Sequence, residues 1–82
     1  MVVNQRLVSF LTDNQFSLLK AIAHADVVGQ PFGNEFIKRF ELPSASSVKS
    51  ALKVLVDKDL VYQTPSGYIV YDRFLGLWLK RI

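Results

Sequence analysis

Few side chains in this 82-residue chain have types and spacings that suit chemistry. His24 is the one histidine, and the apolar pattern around it predicts the last turn of a helix. An imidazole there can act as a general base. It is more ordinarily a solvent-facing group, because partial positive charge is welcome at a helix C-terminus. Asp57 and Asp59 look like a carboxylate pair, but Lys58 stands between them and the three read as the solvated end of a helix. Serines 44, 46, 47 and 50 crowd a turn and a helix start, where hydroxyls cap backbone N–H groups before they serve as nucleophiles. A zinc site takes four ligands from Cys, His or carboxylate, and with one histidine and no cysteine none is expected here. The glycines at 29, 33, 67 and 76 nowhere form G-x-x-x-x-G-K-[ST], the loop that cradles phosphates with backbone N–H groups. The chain therefore reads as non-catalytic, with no cofactor and no metal.

Binding is the chemistry that remains. Lys49 and Lys53 stand four residues apart on the polar side of a helical pattern, beside Ala45, Ser46 and Ser50. Lys38 and Arg39 close a shorter helical segment before it.

The elements that position these groups can be read from periodicity. Thr12 and Gln15 form a capping box, and Phe16, Leu19, Ile22 and Ala23 follow at helical spacing, which predicts a first helix over 12–24. Gly29 to Gly33 is punctuation with room for one short strand. A second helix runs over 34–40, and Leu42-Pro43 stops it. Ser44 caps a third helix over 44–58, in which Val48, Ala51, Leu52, Leu55 and Val56 match the i, i+3, i+4, i+7, i+8 template. After Asp59 the period changes. Residues 60–64 and 68–71 are rich in β-branched and aromatic side chains and flank Pro65-Ser66-Gly67. That triplet suits a three-residue hairpin loop closed by a left-handed glycine. Asp72 then caps a last helix over 73–82. Helix, short extended piece, helix, tight turn, helix and hairpin make a mainly α fold with a small β-hairpin. This is the winged helix-turn-helix order: a three-helix body, a β wing at 60–71 and a closing C-terminal helix. The domain spans 12–82, and residues 1–11 form an arm or the end of a preceding helix.

Composition bounds the partners. Half of the residues are hydrophobic, which excludes a disordered tail. Ten Lys+Arg against seven Asp+Glu leave a charge of +3, mildly basic and far from the dense stripe of a strong nucleic-acid binder. No apolar run approaches the ~18 residues of a membrane span, and the N-terminus lacks a signal-peptide pattern. The expected location is the cytoplasm.

The chain also resembles a known family. LTDNQFSLLKAIA at 11–23, PSASSVKSALKVLVDKDLV at 43–61 and GYIVYDRFLGLWLKR at 67–81 are similar to the C-terminal winged-helix domain of prokaryotic, archaeal-type AAA P-loop ATPases. The third segment, with Asp72, Phe74, Trp78 and Leu79 in order, is the most specific. The resemblance implies a module that follows a nucleotide-binding domain and a helical lid in a larger ATP-binding protein. None of the family's nucleotide-binding residues has a counterpart here.

Two partner classes follow. In a helix-turn-helix the early part of the second helix reaches base edges, here Ala45, Ser46, Lys49, Ser50 and Lys53, with Lys38 and Arg39 near the backbone. Yet the third helix has no Arg, Asn or Gln for bidentate base contacts, and the wing tip has no cation. Weak duplex DNA contact is expected, with a sequence-specific DNA-binding regulator as the alternative. Apolar residues in turn exceed the interior available. Phe74 and Trp78 are assigned to the core, with Trp78 mostly buried. That leaves Leu75, Leu77, Leu79 and Ile82 to meet residues 1–11 or a neighbouring molecule, an apolar interface for the ATPase core or another protein.

Overall fold

A computed structural model describes residues 8–82 of the chain. The reading of the N-terminal arm falls largely on residues 1–7 and lies outside the described residues. At 8–11 the chain turns, with the Leu11 N–H donating to the Val8 carbonyl at 3.1 Å, and both side chains rest against the core.

Helix α1 spans Asp13–Ala25. The Thr12 hydroxyl accepts from the Gln15 N–H at 3.2 Å, and the Gln15 side chain accepts from the Thr12 N–H at 3.0 Å, so the expected capping box is formed. Leu18, Leu19 and Ile22 are fully enclosed, and α1 is the helix on which the rest is assembled. Helices α2 (Asn34–Arg39) and α3 (Ala45–Asp57) make the turn-linked pair. The α3 stripe Val48, Ala51, Leu52 and Leu55 is buried, while Val56 at its margin stays partly in solvent.

Both helices end in Schellman motifs that lack glycine. After α2, Glu41 donates to the Lys38 carbonyl and Leu42 to that of Ile37; after α3, Asp59 donates to Val56 and Leu60 to Leu55. The left-handed positions are Glu41 (φ 54°) and Asp59 (φ 60°), and the apolar residues that follow them, Leu42 and Leu60, are buried. These motifs, more than the Leu42-Pro43 step, set where α2 stops.

Strands β1 (Val61–Thr64) and β2 (Gly67–Val70) pair antiparallel, with Val61 opposite Val70 and Thr64 opposite Gly67. This register corrects the loop expected from sequence. Only Pro65 and Ser66 lie between the strands, and Gly67 opens β2 with φ +140° instead of closing a three-residue loop. The reason is a third chain segment. Val28 exchanges two backbone hydrogen bonds with Tyr68, at 3.0 and 2.8 Å, and so passes directly over Gly67. A Cβ on Gly67 would sit 2.4 Å from the Val28 carbonyl oxygen. The short extended piece expected near Gly29 is this single bridge residue.

Helix α4 (Arg73–Arg81) is capped by Asp72, whose carboxylate accepts from the Phe74 N–H at 2.8 Å and the Leu75 N–H at 3.2 Å. Its phase differs from the expected one. Leu75 and Leu79 have 0% exposure and belong to the core, so they are not an apolar interface. Phe74 is 76% exposed, and Trp78 is half-buried at the core's margin. The pairs 74/78 and 75/79 both have i, i+4 spacing, and docking against α1 selects the second. The Lys80 ammonium pairs with the Asp26 carboxylate just past the end of α1, which ties α4 to the same helix.

Three outcomes are expected in urea unfolding. Leu79→Ala should cost about 2–4 kcal/mol, a large share of the ~5–10 kcal/mol of a small domain, whereas Phe74→Ser should stay within about 0.5 kcal/mol. The opposite order would reverse the phase of α4. Gly67→Ala should cost about 2 kcal/mol or more, since it must displace Val28 from a positive-φ site, and amide exchange at Val28 and Tyr68 should accelerate. Glu41→Gly should add about 0.5–1 kcal/mol, and Asp59→Gly less, because aspartate tolerates the left-handed region better than glutamate. A loss at both positions would mean the caps do not have this geometry.

Candidate functional site

The candidate surface is built on α3, which buries one side in the body and turns the other outward. Ser44 holds its first turn. The Ser44 hydroxyl accepts from the Ser47 N–H at 3.2 Å, donates to the Ser47 hydroxyl at 3.1 Å, and lies 3.3 Å from the Ser46 hydroxyl. Ser44 is therefore the capping group, as its place in the sequence implied, and Ser47 supplies the N–H it caps. A polar cleft of about 350 Å³ runs from Thr12 and Gln15 of α1 to Ser46, Ser47 and Ser50 of α3.

Ala45, Ser46, Lys49, Ser50 and Lys53 are all exposed on the outward side of α3. Among the described residues neither Lys49 nor Lys53 forms an ion pair. Lys38 and Arg39 are exposed in the last turn of α2, and the Arg39 guanidinium lies 4.8 Å from the centre of the Phe40 ring. Arg39 is thus partly engaged in a cation–π contact. At the wing tip the Thr64 hydroxyl donates to the Gly67 carbonyl at 2.9 Å and accepts from the Ser66 N–H at 3.2 Å. The turn is held by these neutral contacts and presents no cation to a phosphate backbone.

Sequence reasoning missed two features of the surface. The first is a groove of about 470 Å³ between α3 and the wing, lined by Phe32, Lys49, Lys53, Val56, Asp57 and Tyr68. Val56 fitted the helical template for burial, and Phe32 lay in the Gly29–Gly33 stretch read as punctuation with room for one short strand, so neither signalled a surface role. The second is an apolar face on the other side of the wing. Val27, Tyr62, Tyr71 and Leu77 line an open cleft of about 570 Å³ between the hairpin and α4, which also has Asp26, Asp72, Arg73 and Lys80 at its edges, and Phe74 stands three residues before Leu77 on the same helix. The Tyr62 and Tyr71 rings meet edge to face with centroids 5.5 Å apart. Strand alternation was the one available hint, since it separates Tyr62 from the inward-facing Val61. The final helix does carry an exposed apolar surface, but its members are Phe74, Leu77 and Ile82, with Leu75 and Leu79 turned inward.

His24 is exposed in the last turn of α1. Among the described residues no cluster of His, Cys, Asp or Glu has the geometry to hold a metal ion. Among the same residues no helix is long and apolar enough to cross a membrane. The arrangement suits non-covalent binding: a helix with a cationic, serine-lined face, a groove beside it, and an aromatic face behind the wing.

No curated protein and no solved structure matches the chain. The element order, the position of α3 and the hairpin wing agree with what the family comparison finds: the chain belongs to the family described as a probable winged helix domain, which matches residues 3–81.

Proposed function

We propose that this winged helix is a non-catalytic docking module, the C-terminal domain of an AAA-type P-loop ATPase. Its wing and closing helix pack against the ATPase core or a partner protein, and α3 makes weak contact with duplex DNA. The observation that carries the reading is the asymmetry of the surface. Val27, Tyr62, Tyr71, Phe74 and Leu77 are large apolar groups exposed behind the wing, with Tyr71 at 68% and Phe74 at 76%. Exposed apolar clusters of this kind are characteristic of protein interfaces, and aromatic residues are their usual anchors. The α3 face offers two lysines and neutral hydroxyls. Two or three lysine–phosphate contacts support only weak, salt-sensitive binding without base selection. The parentage rests on the resemblance of segments 11–23, 43–61 and 67–81 to that ATPase family.

Three observations test this. Titration with random and with selected duplexes at ~0.15 M salt should give weak binding without sequence preference; a specific Kd near ~10⁻⁸ M that depends on Lys49 and Lys53 would make the chain a sequence-specific regulator instead. The encoding gene should carry a G-x-x-x-x-G-K-[ST] segment ahead of this domain. The nucleotide-binding part, added in trans, should lose affinity by at least about tenfold for the Tyr71→Ser/Phe74→Ser variant. A gene without the phosphate loop removes the proposed parent.

A further inference from the structure

The groove between α3 and the wing lies apart from the apolar face behind the wing, and its chemistry differs. Its floor and far wall are apolar: Phe32, 43% exposed, Val56 at 37%, and Tyr68 of β2. Its near rim is charged in a fixed order. Lys49, Lys53 and Asp57 follow at i, i+4 and i+8 along α3, each exposed, about 6 Å apart along the helix axis. Among the described residues none of the three has an ion-pair partner.

A nucleic-acid backbone uses this surface poorly. Phosphates gain nothing from Phe32 and Val56, and Asp57 repels them at one end of the rim. The bases would find no Arg, Asn or Gln on α3. A peptide with an apolar anchor and acidic flanks matches every feature. The anchor fills the space between Phe32 and Val56 and removes both from water. Two carboxylates about 6 Å apart meet Lys49 and Lys53. The end of the peptide that passes Asp57 carries no acid. The rim therefore also sets the direction in which the peptide lies.

We propose that this groove binds a short acidic–apolar peptide segment, with Phe32 and Val56 holding its apolar anchor, Lys49 and Lys53 its carboxylates, and Asp57 fixing its orientation. The site uses none of the residues of the docking face proposed above, and it shares Lys49 and Lys53 with the weak DNA contact, so peptide and duplex would compete for α3.

The test is a selection of random peptides of about 12 residues, displayed on phage and panned against the whole chain at ~0.15 M salt, with Lys49→Glu/Lys53→Glu as a parallel bait. The wild-type chain should enrich peptides with two acidic residues three or four positions apart beside an aromatic or leucine. A synthetic copy of the most enriched sequence should weaken by at least about tenfold against Phe32→Ser and against the double lysine variant. It should bind the Tyr71→Ser/Phe74→Ser variant as it binds the wild type, which separates this site from the docking face. Replacing its two acids by lysine should restore binding to the Lys49→Glu/Lys53→Glu chain, a reciprocal change that a folding defect cannot produce. Circular dichroism should show all variants folded, since every substituted side chain is exposed. The proposal is overturned by an absence of enrichment, by enriched peptides rich in Lys or Arg, or by binding insensitive to Phe32→Ser. It is equally overturned by a random duplex of about 20 base pairs whose affinity depends on Phe32 as well as on the two lysines, which assigns the groove to nucleic acid.

Discussion

The apolar stripe of α1, Leu18, Leu19 and Ile22, has to be covered from more than one side, and α1 alone cannot do it. α3 covers one part, α4 another, and β2 of the wing rests on the same helix. Each of the three side chains is at most 1% exposed, so α1 is the element whose loss would leave the others without a common partner. A chain of this size hides only roughly 60–65% of its unfolded surface, so little redundancy exists in such a core. The two ends of α1 are secured by polar devices that leave the stripe undisturbed: the Thr12–Gln15 capping box at the start and the Lys80–Asp26 pair just past the end.

The wing depends on the same constraint at one remove. A two-stranded hairpin is marginal by itself in water. Here Val28, three residues past the end of α1, supplies a third backbone pairing, to Tyr68. Glycine at 67 makes that approach feasible, since no side chain fits beneath the Val28 carbonyl. The hairpin, so held, divides the surface in two. On one side of the hairpin lies the groove with α3; on the other lies the aromatic face with α4. No residue lines both, and the strand register places Tyr68 of the groove and Tyr62 of the aromatic face on opposite faces of the sheet.

The membership in a winged-helix family accounts for the placement of these surfaces but does not determine what occupies them. The occupant is decided by local chemistry. A helix in the recognition position that carries Lys49, Lys53 and Asp57 beside Phe32 and Val56 differs from one that presents arginines to base edges.

Much of the architecture was legible in the residue order. Capping residues mark helix starts because a side-chain oxygen must satisfy free N–H groups, and Thr12, Ser44 and Asp72 all do so. The α3 stripe and the change to β-rich runs after Asp59 report burial and backbone preference directly, and both are local properties. The exposure of Ser46, Lys49, Ser50 and Lys53 followed from the same stripe. What the sequence left open were choices between locally equivalent solutions. On α4, Phe74/Trp78 and Leu75/Leu79 are two apolar pairs with the same spacing, and only docking against α1 turned the leucines inward. At the wing, Pro65-Ser66-Gly67 suits a three-residue loop, and the passage of Val28, distant in sequence, imposed a two-residue loop with Gly67 in the strand. Periodicity determined which elements form. Contacts between segments far apart in the chain decided which face of each is buried, and hence which residues remain outside to bind.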